Sequence, residues 1–445
     1  MKTFAEKPVD YSEDATYITV TTQLGIVLLS DCLLLALGRF SYLHCHDNVR
    51  VNLDGIIRLI EQPPQSAWIR SRLPARPVDQ AAVIARSRPE AAAPLRRLHL
   101  NESPYPPSPH AIAAMAAAAQ NTNRYPDPST KELCAELSTR TGVAASQIVC
   151  GHGSEELINV LCTLGLREAD EVVLPAPTFP GIPAAVGVRN AVAVRIKLDG
   201  QGANDADAML AAITPRTRIV FCCTPNPPSG GLMSAEAVRE MAQRVPDHVL
   251  LVVDEAYHEF GRHADGPDVL EILRRRRGPW VDLRTFSKAY SLAGARVGYA
   301  LCSSVEVTDA IRYGKTMYGP STVPLAGALA ALRDDAHLAD ALNAVARERA
   351  RITEGMTRLG LKPMATAANF VSVALPMPAI DAMTRFHELG ILVRDWRDAD
   401  HRHEIRVTVG TADDTDAFLG ALRTILQTTN MTAVDRLSGA VVQRG

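Results

Sequence analysis

The hydrophobic pattern changes at about residue 96, where short apolar runs begin to alternate with amphipathic segments at a spacing of roughly 25 residues. Six apolar runs bounded by turn residues predict buried strands: QIVC (147–150), EVVLP (171–175), VAVRIKL (192–198), RIVFCC (218–223), VLLVVDEA (249–256) and VDLRTF (281–286). This alternation predicts an α/β fold with a mostly parallel sheet and helices on both faces.

Helices are predicted where apolar residues recur with helical spacing. They include AIAAMAAAAQ (111–120), EELINVLCTLGL (155–166) and SAEAVREMAQRV (234–245). After about residue 325 a long helix (334–360), three strands (NFVSVAL, ILVRD, EIRVTVG) and a final helix (415–427) predict a smaller α+β domain. The segment LHLNESPYPPSP (98–109) is interpreted as a strand-like piece that ends in a proline-dense turn.

The pattern therefore predicts a division into five parts. They are an N-terminal extension of unknown role (1–95), a segment that joins the small domain (96–121), a large domain (122–324), a small C-terminal domain (325–428) and a tail (429–445). The extension is interpreted as a small accessory element, as a partly disordered segment or as an extended reading of the start site. Its most apolar stretch (24–37) is interrupted by Asp31 and is too short to span a bilayer.

Charge and cysteine content exclude several classes of function. The 445 residues contain 47 Lys and Arg against 49 Asp and Glu, so there is no electrostatic footprint for nucleic acid or for a membrane surface. The eight cysteines are scattered without metal-ligand spacing, which favours buried thiols in a reducing compartment. No metal site is predicted, and His44 and His46 are interpreted as an incidental pair. We expect a cytoplasmic protein.

The stretch TFSKAYSLAGARVG (285–298) contains the first candidate chemistry. Burial disfavours the charged form of a lysine, so Lys288 in an apolar crevice could form a Schiff base with an aldehyde. The hydroxyl of Ser287 and the guanidinium of Arg296 are groups that bind phosphate. An aldehyde and a phosphate on one molecule describe pyridoxal 5′-phosphate. The alternative is that Lys288 is an ordinary surface residue.

Three further turns follow predicted strands, where ligands bind in parallel sheets. In GHGSEEL, the backbone N–H groups of Ser154 and Glu155 could hold an anion at a helix N-terminus. Phe179 in APTFPG could stack on a pyridine ring. Asn226 in TPNPPSG could donate a hydrogen bond to a phenolic oxygen. Each of these motifs is also compatible with an ordinary turn or with core packing.

Charged residues inside apolar runs complete the candidate set. In VVDEAYHEF, Asp254 needs a cationic partner, which a protonated pyridine nitrogen would supply, and Tyr257 follows it. Arg406 in EIRVTVG and Arg394 in ILVRD need anions, and a substrate carboxylate fits by bidentate pairing. The alternatives are a helix-capping role for the aspartate and structural ion pairs for the arginines.

The order of these motifs resembles the fold-type-I pyridoxal-phosphate aminotransferases of class I/II, with the histidinol-phosphate aminotransferase branch as the nearest match. The resemblance covers about residues 96–428 and rests on LNESPYPPSP, RYPDP, GHGSEELI, PTFPG, TPNPPSG, VDEAYHEF, TFSKAYSLAGARVGY and IRVTVG. It implies a three-layer fold in which residues 122–324 form the cofactor-binding domain.

The resemblance also implies roles for individual residues. Lys288 would carry the cofactor as an internal aldimine, and Asp254 would bind the pyridine nitrogen. Asn226 and Tyr257 would hold the 3′-oxygen, and Phe179 would stack on the ring. The phosphate would be held by Ser154, Glu155, Ser287 and Arg296.

The resemblance implies roles for residues outside these turns as well. Tyr125 in RYPDP resembles the tyrosine that reaches the cofactor phosphate of the neighbouring subunit, so a homodimer is implied. Arg406 resembles the carboxylate-binding arginine, with Arg394 and Tyr105 as further substrate-binding candidates.

The implied reaction is a ping-pong transfer of an amino group from an amino acid, or from an amino-alcohol phosphate such as histidinol phosphate, to a 2-oxo acid. A pyridoxal-phosphate-dependent decarboxylase, oxidase or cyclase on the same scaffold is an alternative. A DNA-binding regulator with an aminotransferase-like sensor is a further one. It would need a basic winged-helix segment within residues 1–95, whose opening residues are acidic.

Overall fold

The computed structural model describes residues 42–45, 49–52 and 95–442, with side chains described from 95 to 428. The chain forms two compact units, Met1–Arg70 and Ser71–Gly445. In the first unit, β1 (Tyr42–Cys45) and β2 (Val49–Asn52) pair antiparallel. The apolar stretch at 24–37 and the second histidine of the HxH pair lie outside the described residues.

Seven strands of the second unit form one sheet, called the large sheet below. Their bounds are β4 (Ile148–Gly151), β5 (Glu171–Ala176), β6 (Val192–Lys197), β7 (Thr217–Cys223), β8 (Leu250–Asp254), β9 (Trp280–Thr285) and β10 (Gly298–Cys302). The order across the sheet is β4-β10-β9-β8-β7-β5-β6. The strands from β9 to β6 are parallel, and β10 is antiparallel to both of its neighbours. The six predicted strands and the mostly parallel sheet are confirmed.

Five shorter strands lie before and after the large sheet in the chain. They are β3 (Arg96–Arg97), β11 (Phe370–Ala374), β12 (Ile391–Leu392), β13 (Arg394–Asp395) and β14 (Glu404–Thr408). Strands β11, β14 and β13 form an antiparallel sheet, called the small sheet below, and β12 pairs parallel with β3.

The prediction of a strand-like piece at 98–109 was wrong. The strand ends at Arg97, and Asn101 has a φ of +54°, which is incompatible with a continuing strand. The segment is held instead by separate bonds to the small-sheet region. The Leu98 amide donates to the carbonyl of Leu392 (3.0 Å), and the Leu98 carbonyl accepts from Thr408 (2.9 Å).

Thirteen α-helices are assigned within residues 95–442. Their bounds are α1 (Pro109–Ala119), α2 (Lys131–Thr141), α3 (Ser154–Gly165), α4 (Gly181–Val188), α5 (Ala206–Ala211), α6 (Ala235–Arg244), α7 (His258–His263), α8 (Val269–Leu273), α9 (Val305–Gly314), α10 (Thr322–Leu332), α11 (Asp335–Arg358), α12 (Ala379–Glu388) and α13 (Ala412–Val442). The alanine-rich α1 begins where Ser108 Oγ accepts a hydrogen bond from the His110 amide (3.1 Å). The last helix runs to Val442, beyond its predicted end at residue 427.

Apolar side chains fill both faces of the large sheet. On one face, Val220 and Val253 pack with α2, α6, α8 and α10; on the other, Phe221 and Leu283 pack with α3, α4 and α9. A further core around Phe370 lies under the small sheet. The six cysteines between residues 95 and 428 are buried free thiols, as predicted. Among the described residues, no helix is long and apolar enough to cross a membrane.

Candidate active site

Five turns meet at one edge of the large sheet. The chain leaves β5, β7, β8 and β9 at this edge, and β4 runs parallel to β9 and so ends there as well. The carboxyl ends of parallel strands are where ligands bind in such sheets. The edge therefore collects the turns that carry Ser154, Phe179, Asn226, Asp254 and Lys288.

Lys288 lies in the turn after β9 and is partly buried. Its Nζ donates to the carbonyl of Leu100 (3.3 Å) and lies 5.9 Å from the centroid of the Tyr257 ring. Burial, followed by the positive charge of Arg406, lowers the pKa of Lys288 to about 8. Since the neutral amine is the nucleophile, this environment favours condensation with an aldehyde.

Asp254 is the last residue of β8, and only 3% of its surface is exposed. Its Oδ1 accepts a hydrogen bond from the Ala256 amide (2.9 Å). Burial raises the pKa of Asp254 to about 7, and the nearby carboxylates of Asp282 and Glu255 act in the same direction. A cationic ligand group placed against this carboxyl would favour its ionised form.

A buried charge network adjoins Asp254. Arg284 Nη2 pairs with Glu255 Oε2 (3.0 Å) and with Asp282 Oδ2 (2.8 Å), and all three side chains are at most 6% exposed. His258 Nδ1 lies 3.1 Å from Glu255 and its Nε2 lies 3.0 Å from Arg284. Burial lowers the pKa of His258 to about 4, so a neutral ring donates to the glutamate and accepts from the arginine. This network was not predicted from the sequence; its signal was the presence of charged residues within the apolar runs VDLRTF and VVDEA.

A cluster of hydrogen-bond donors, called the cradle below, forms where β10 meets the start of α3. Arg296 Nη1 donates to Ser287 Oγ (3.3 Å). A Cβ atom on Gly153, whose φ is +77°, would lie 2.7 Å from Arg296 Nη2, and one on Gly298 would lie 2.3 Å from the Ser154 amide. These close approaches require glycine. They bring a guanidinium, a hydroxyl and the first amides of a helix together, which suits a phosphate group.

The turns carrying Asn226 and Phe179 are bonded to each other. Asn226 Nδ2 donates to the carbonyl of Pro177 (3.0 Å), and its Oδ1 accepts from Thr178 Oγ1 (2.8 Å). The partly buried Phe179 ring packs over Gly181, where a Cβ atom would lie 2.3 Å from the ring. These contacts fix both turns at the site edge, and the predicted ring stacking and 3′-oxygen contact stay predictions.

Tyr257 is held by a residue to which the sequence analysis gave no role. Its hydroxyl oxygen accepts a hydrogen bond from Asn101 Nδ2 (2.8 Å), and the Asn101 amide donates to Thr408 Oγ1 (2.9 Å). Burial raises the pKa of Tyr257 to about 12, so the phenol stays protonated and can donate its hydrogen to a ligand. The signal for Asn101 was an asparagine, which tolerates left-handed backbone, just before a proline-dense turn.

Arg406 occupies the middle of β14, in register with Arg394 of β13. Its Nη2 donates to the carbonyl of His99 (2.8 Å), and its guanidinium carbon lies 5.3 Å from the centroid of the Phe370 ring. Its Nε is buried and has no hydrogen-bond partner among the described residues. Burial lowers the pKa of Arg406 to about 10. The positive charges of Arg394 and Arg397 act in the same direction, so an anion bound at Arg406 would be stabilising.

The three remaining predicted residues make the following contacts. Tyr125 is 79% exposed and stacks on Tyr318 with ring centroids 4.3 Å apart. Tyr105 packs against the core under the small sheet, and burial followed by the charge of Glu348 raises its pKa. Glu155 is half-exposed, with its carboxylate 4.0 Å from the guanidinium of the cradle. The roles predicted for these side chains stay predictions.

The groups at this edge fit pyridoxal 5′-phosphate. The amine of Lys288 suits its aldehyde, the buried carboxyl of Asp254 suits its ring nitrogen, and the cradle at Arg296 suits its phosphate. Together with a mostly parallel sheet covered by helices on both faces, they define a pyridoxal-phosphate enzyme with aminotransferase architecture.

Comparison with known proteins identifies the family. The model of the family "Aminotransferase class I and II" matches residues 95–422. An aromatic amino acid aminotransferase of Streptomyces coelicolor is 36% identical over 323 residues, which cover 73% of this chain and 88% of that protein. A histidinol-phosphate aminotransferase of Moorella thermoacetica is 34% identical over 333 residues, covering 74% and 85%. The chain belongs to the class I and II aminotransferases.

A solved structure agrees with this assignment. The crystal structure of histidinol-phosphate aminotransferase from Sinorhizobium meliloti in complex with pyridoxal-5′-phosphate has a TM-score of 0.74 and 29% identity, and covers 80% of this chain and 96% of that one. The protein is therefore a pyridoxal-phosphate-dependent aminotransferase, which confirms the family, fold and cofactor expected from the motifs.

Proposed function

We propose that this enzyme moves an amino group between an amino acid and a 2-oxo acid in two half-reactions at Lys288. The observation that carries the proposal is the environment of the Lys288 amine, whose pKa burial lowers to about 8 beside Tyr257 and near Arg406. An amine with this pKa can form and break a covalent bond near neutral pH, and it can also act as a general base.

Each residue has a separate part in the reaction. When bound, pyridoxal phosphate supplies an electron-withdrawing ring. Arg406 binds the substrate carboxylate and orients the α-carbon towards Lys288 Nζ. The Lys288 Nζ would take the proton from that carbon, the Asp254 carboxylate would hold a proton on the ring nitrogen, and the Tyr257 hydroxyl would donate to the phenolic oxygen.

The substrate class follows from Arg406. A carboxylate or a phosphate of the substrate pairs with this guanidinium, whose buried Nε makes no hydrogen bond among the described residues. The relatives named aromatic amino acid aminotransferase and histidinol-phosphate aminotransferase support a donor with a flat ring. We therefore infer a ring-bearing amine with a carboxylate or phosphate as donor, and a 2-oxo acid as acceptor.

The test is a half-reaction without any 2-oxo acid. Phenylalanine, tyrosine and histidinol phosphate are each added to the loaded enzyme, and conversion of the cofactor to its amine form is followed by absorbance. Lys288→Ala is expected to abolish this conversion and the borohydride-fixed mass increase on the peptide containing residue 288. Lys315→Ala is a matched control, because Lys315 is also a partly buried lysine whose pKa is lowered by burial.

Turnover by the Lys288→Ala variant would refute the mechanism. Release of CO₂ or consumption of O₂, with the cofactor recovered unchanged, would favour the decarboxylase or oxidase alternative. Conversion by only one donor would assign the substrate.

We further propose that the enzyme works as a homodimer with shared sites. Tyr125 stacks on Tyr318, and both are exposed, with exposures of 79% and 41%. Two large apolar side chains of the segment before Tyr318 are exposed as well, Tyr313 at 90% and Met317 at 68%. Mixing Lys288→Ala chains with Tyr125→Ala chains should restore activity, because the mixed dimer would contain one complete site. A monomer by analytical ultracentrifugation, or no recovery on mixing, would contradict the proposal.

A further inference from the structure

Ser372 is a buried hydroxyl on the face of the small sheet that looks towards the active site. It lies in β11 with 0% exposure, between two valines that are also fully buried. A hydroxyl in such a place is costly unless its hydrogen bonds are satisfied. The Ser372 hydroxyl is satisfied both as a donor and as an acceptor. It donates to the carbonyl of Pro228 (2.6 Å) and accepts from the indole Nε1 of Trp396 (3.2 Å).

These two bonds connect the substrate side of the site to the cofactor side. In the sheet register Ser372 is opposite Arg406, and Arg406 is opposite Arg394, so the three side chains share one face. Pro228 lies two residues after Asn226, in the turn at the carboxyl end of β7. Ser372 therefore ties the row that carries the two arginines to the Asn226 turn.

Trp396 extends the same connection to the loop after β13. It is 6% exposed, and its ring lies 4.7 Å from that of His401. Beyond it, Asp398 pairs with Arg195 of β6 (3.2 Å), so the loop also contacts the edge strand of the large sheet. The indole N–H fixes the start of this loop two residues after Arg394.

We propose that Ser372 and Trp396 are positioning residues for the substrate carboxylate, which act by holding Arg406 and Arg394 at a set distance from the cofactor-side turns. The inference rests on Arg406 as the carboxylate site, as proposed above. Without the Ser372 hydroxyl, the indole N–H and the Pro228 carbonyl would lose a buried partner, and the small sheet would lose a directional bond to the large one. The cradle at Arg296 and the Lys288 turn make no contact with this pair in the bonds described. The Asn226 side chain keeps its own bonds to Pro177 and Thr178, so cofactor binding should be preserved.

The experiment compares Ser372→Ala and Trp396→Phe, where the second change removes the N–H and keeps an aromatic ring. Each should raise the dissociation constant of the unreactive dicarboxylate maleate, measured by calorimetry on the loaded enzyme, by about 5- to 30-fold. KM for the 2-oxo acid should rise in parallel, with kcat lowered less than KM is raised. The affinity for pyridoxal phosphate and the absorbance of the bound cofactor should not change.

Three further variants separate the outcomes. Ser372→Thr retains a hydroxyl and should bind maleate more tightly than Ser372→Ala. Trp280→Phe changes another buried tryptophan, which is 5% exposed and lies at the start of β9, at the end away from Lys288. This variant should behave as the unaltered enzyme. Arg406→Lys should weaken maleate binding if Arg406 is the carboxylate site.

The positioning role is overturned if Ser372→Ala and Trp396→Phe bind maleate normally while Arg406→Lys does not. It is also overturned if the two variants lose affinity for maleate and for pyridoxal phosphate together, since that result indicates a general structural defect. If one of the two fails to fold, the other decides by the same criteria. Normal maleate binding by Arg406→Lys would instead refute the proposed carboxylate site.

Discussion

The pKa of Lys288 predicts how the enzyme without cofactor captures pyridoxal phosphate as a function of pH. With a pKa of about 8 instead of the usual 10.5, about a quarter of the amine is neutral at pH 7.5, against about 0.1% for an ordinary lysine. The gain in reactive amine is therefore about 200-fold. Raising the pH removes the proton, so the capture rate should rise with a midpoint near 8 and then level off.

The contribution of Arg406 can be tested separately. Its positive charge is the largest cause of the lowered pKa after burial, so Arg406→Gln should move the midpoint for capture to higher pH. Arg402→Gln is the control, because Arg402 is an exposed arginine of the same region. The rate is measured by stopped-flow absorbance after the protein is mixed with excess pyridoxal phosphate at a series of pH values and constant ionic strength.

Two results would refute this reasoning. A midpoint near 10 would mean that the native site does not desolvate Lys288. A midpoint that moves to lower pH in Arg406→Gln would mean that the arginine does not disfavour the charged amine. An equal shift in Arg402→Gln would assign the effect to net charge and not to Arg406.

Three other changes have expected outcomes. Asn101→Ala removes the buried donor to Tyr257 and should lower the free energy of unfolding by about 1–3 kcal/mol in a urea titration of the loaded enzyme. Gly298→Ala places a Cβ atom 2.3 Å from the Ser154 amide, so fluorescence titration should show pyridoxal phosphate affinity reduced about tenfold or more. Arg284→Met leaves two buried carboxylates without their cation and should cost about 3–5 kcal/mol of stability in the cofactor-free protein. Unchanged unfolding curves or titrations would contradict each expectation.

The large sheet was predictable because its strands are continuous apolar runs of suitable length, separated by amphipathic helices. The turns at their carboxyl ends were predictable for the same reason, since the place of Asp254 or Lys288 follows from the end of its own strand. In these cases the local sequence determines both the strand and the position of the reactive residue that follows it.

Contacts made between distant segments were not predictable in this way. Asn101 meets Tyr257 across 156 residues and Thr408 across 307, and no periodicity in either segment indicates the pairing. The same holds for Ser372, whose polar role appears only when Pro228 and Trp396 are brought to it. The wrong strand-like interpretation of 98–109 has this origin too, because the backbone turns at a left-handed asparagine whose partners lie far along the chain.

The bond between Asn101 and Thr408 has a consequence for biosynthesis. The segment around Asn101 leaves the ribosome early, but its partner is translated 307 residues later. At about 5–20 residues per second, the early segment waits roughly 15–60 seconds before its hydrogen bonds can form. The strands of the large sheet can assemble during that interval, whereas the pocket that surrounds the reactive lysine closes only after the segment around Thr408 has been made.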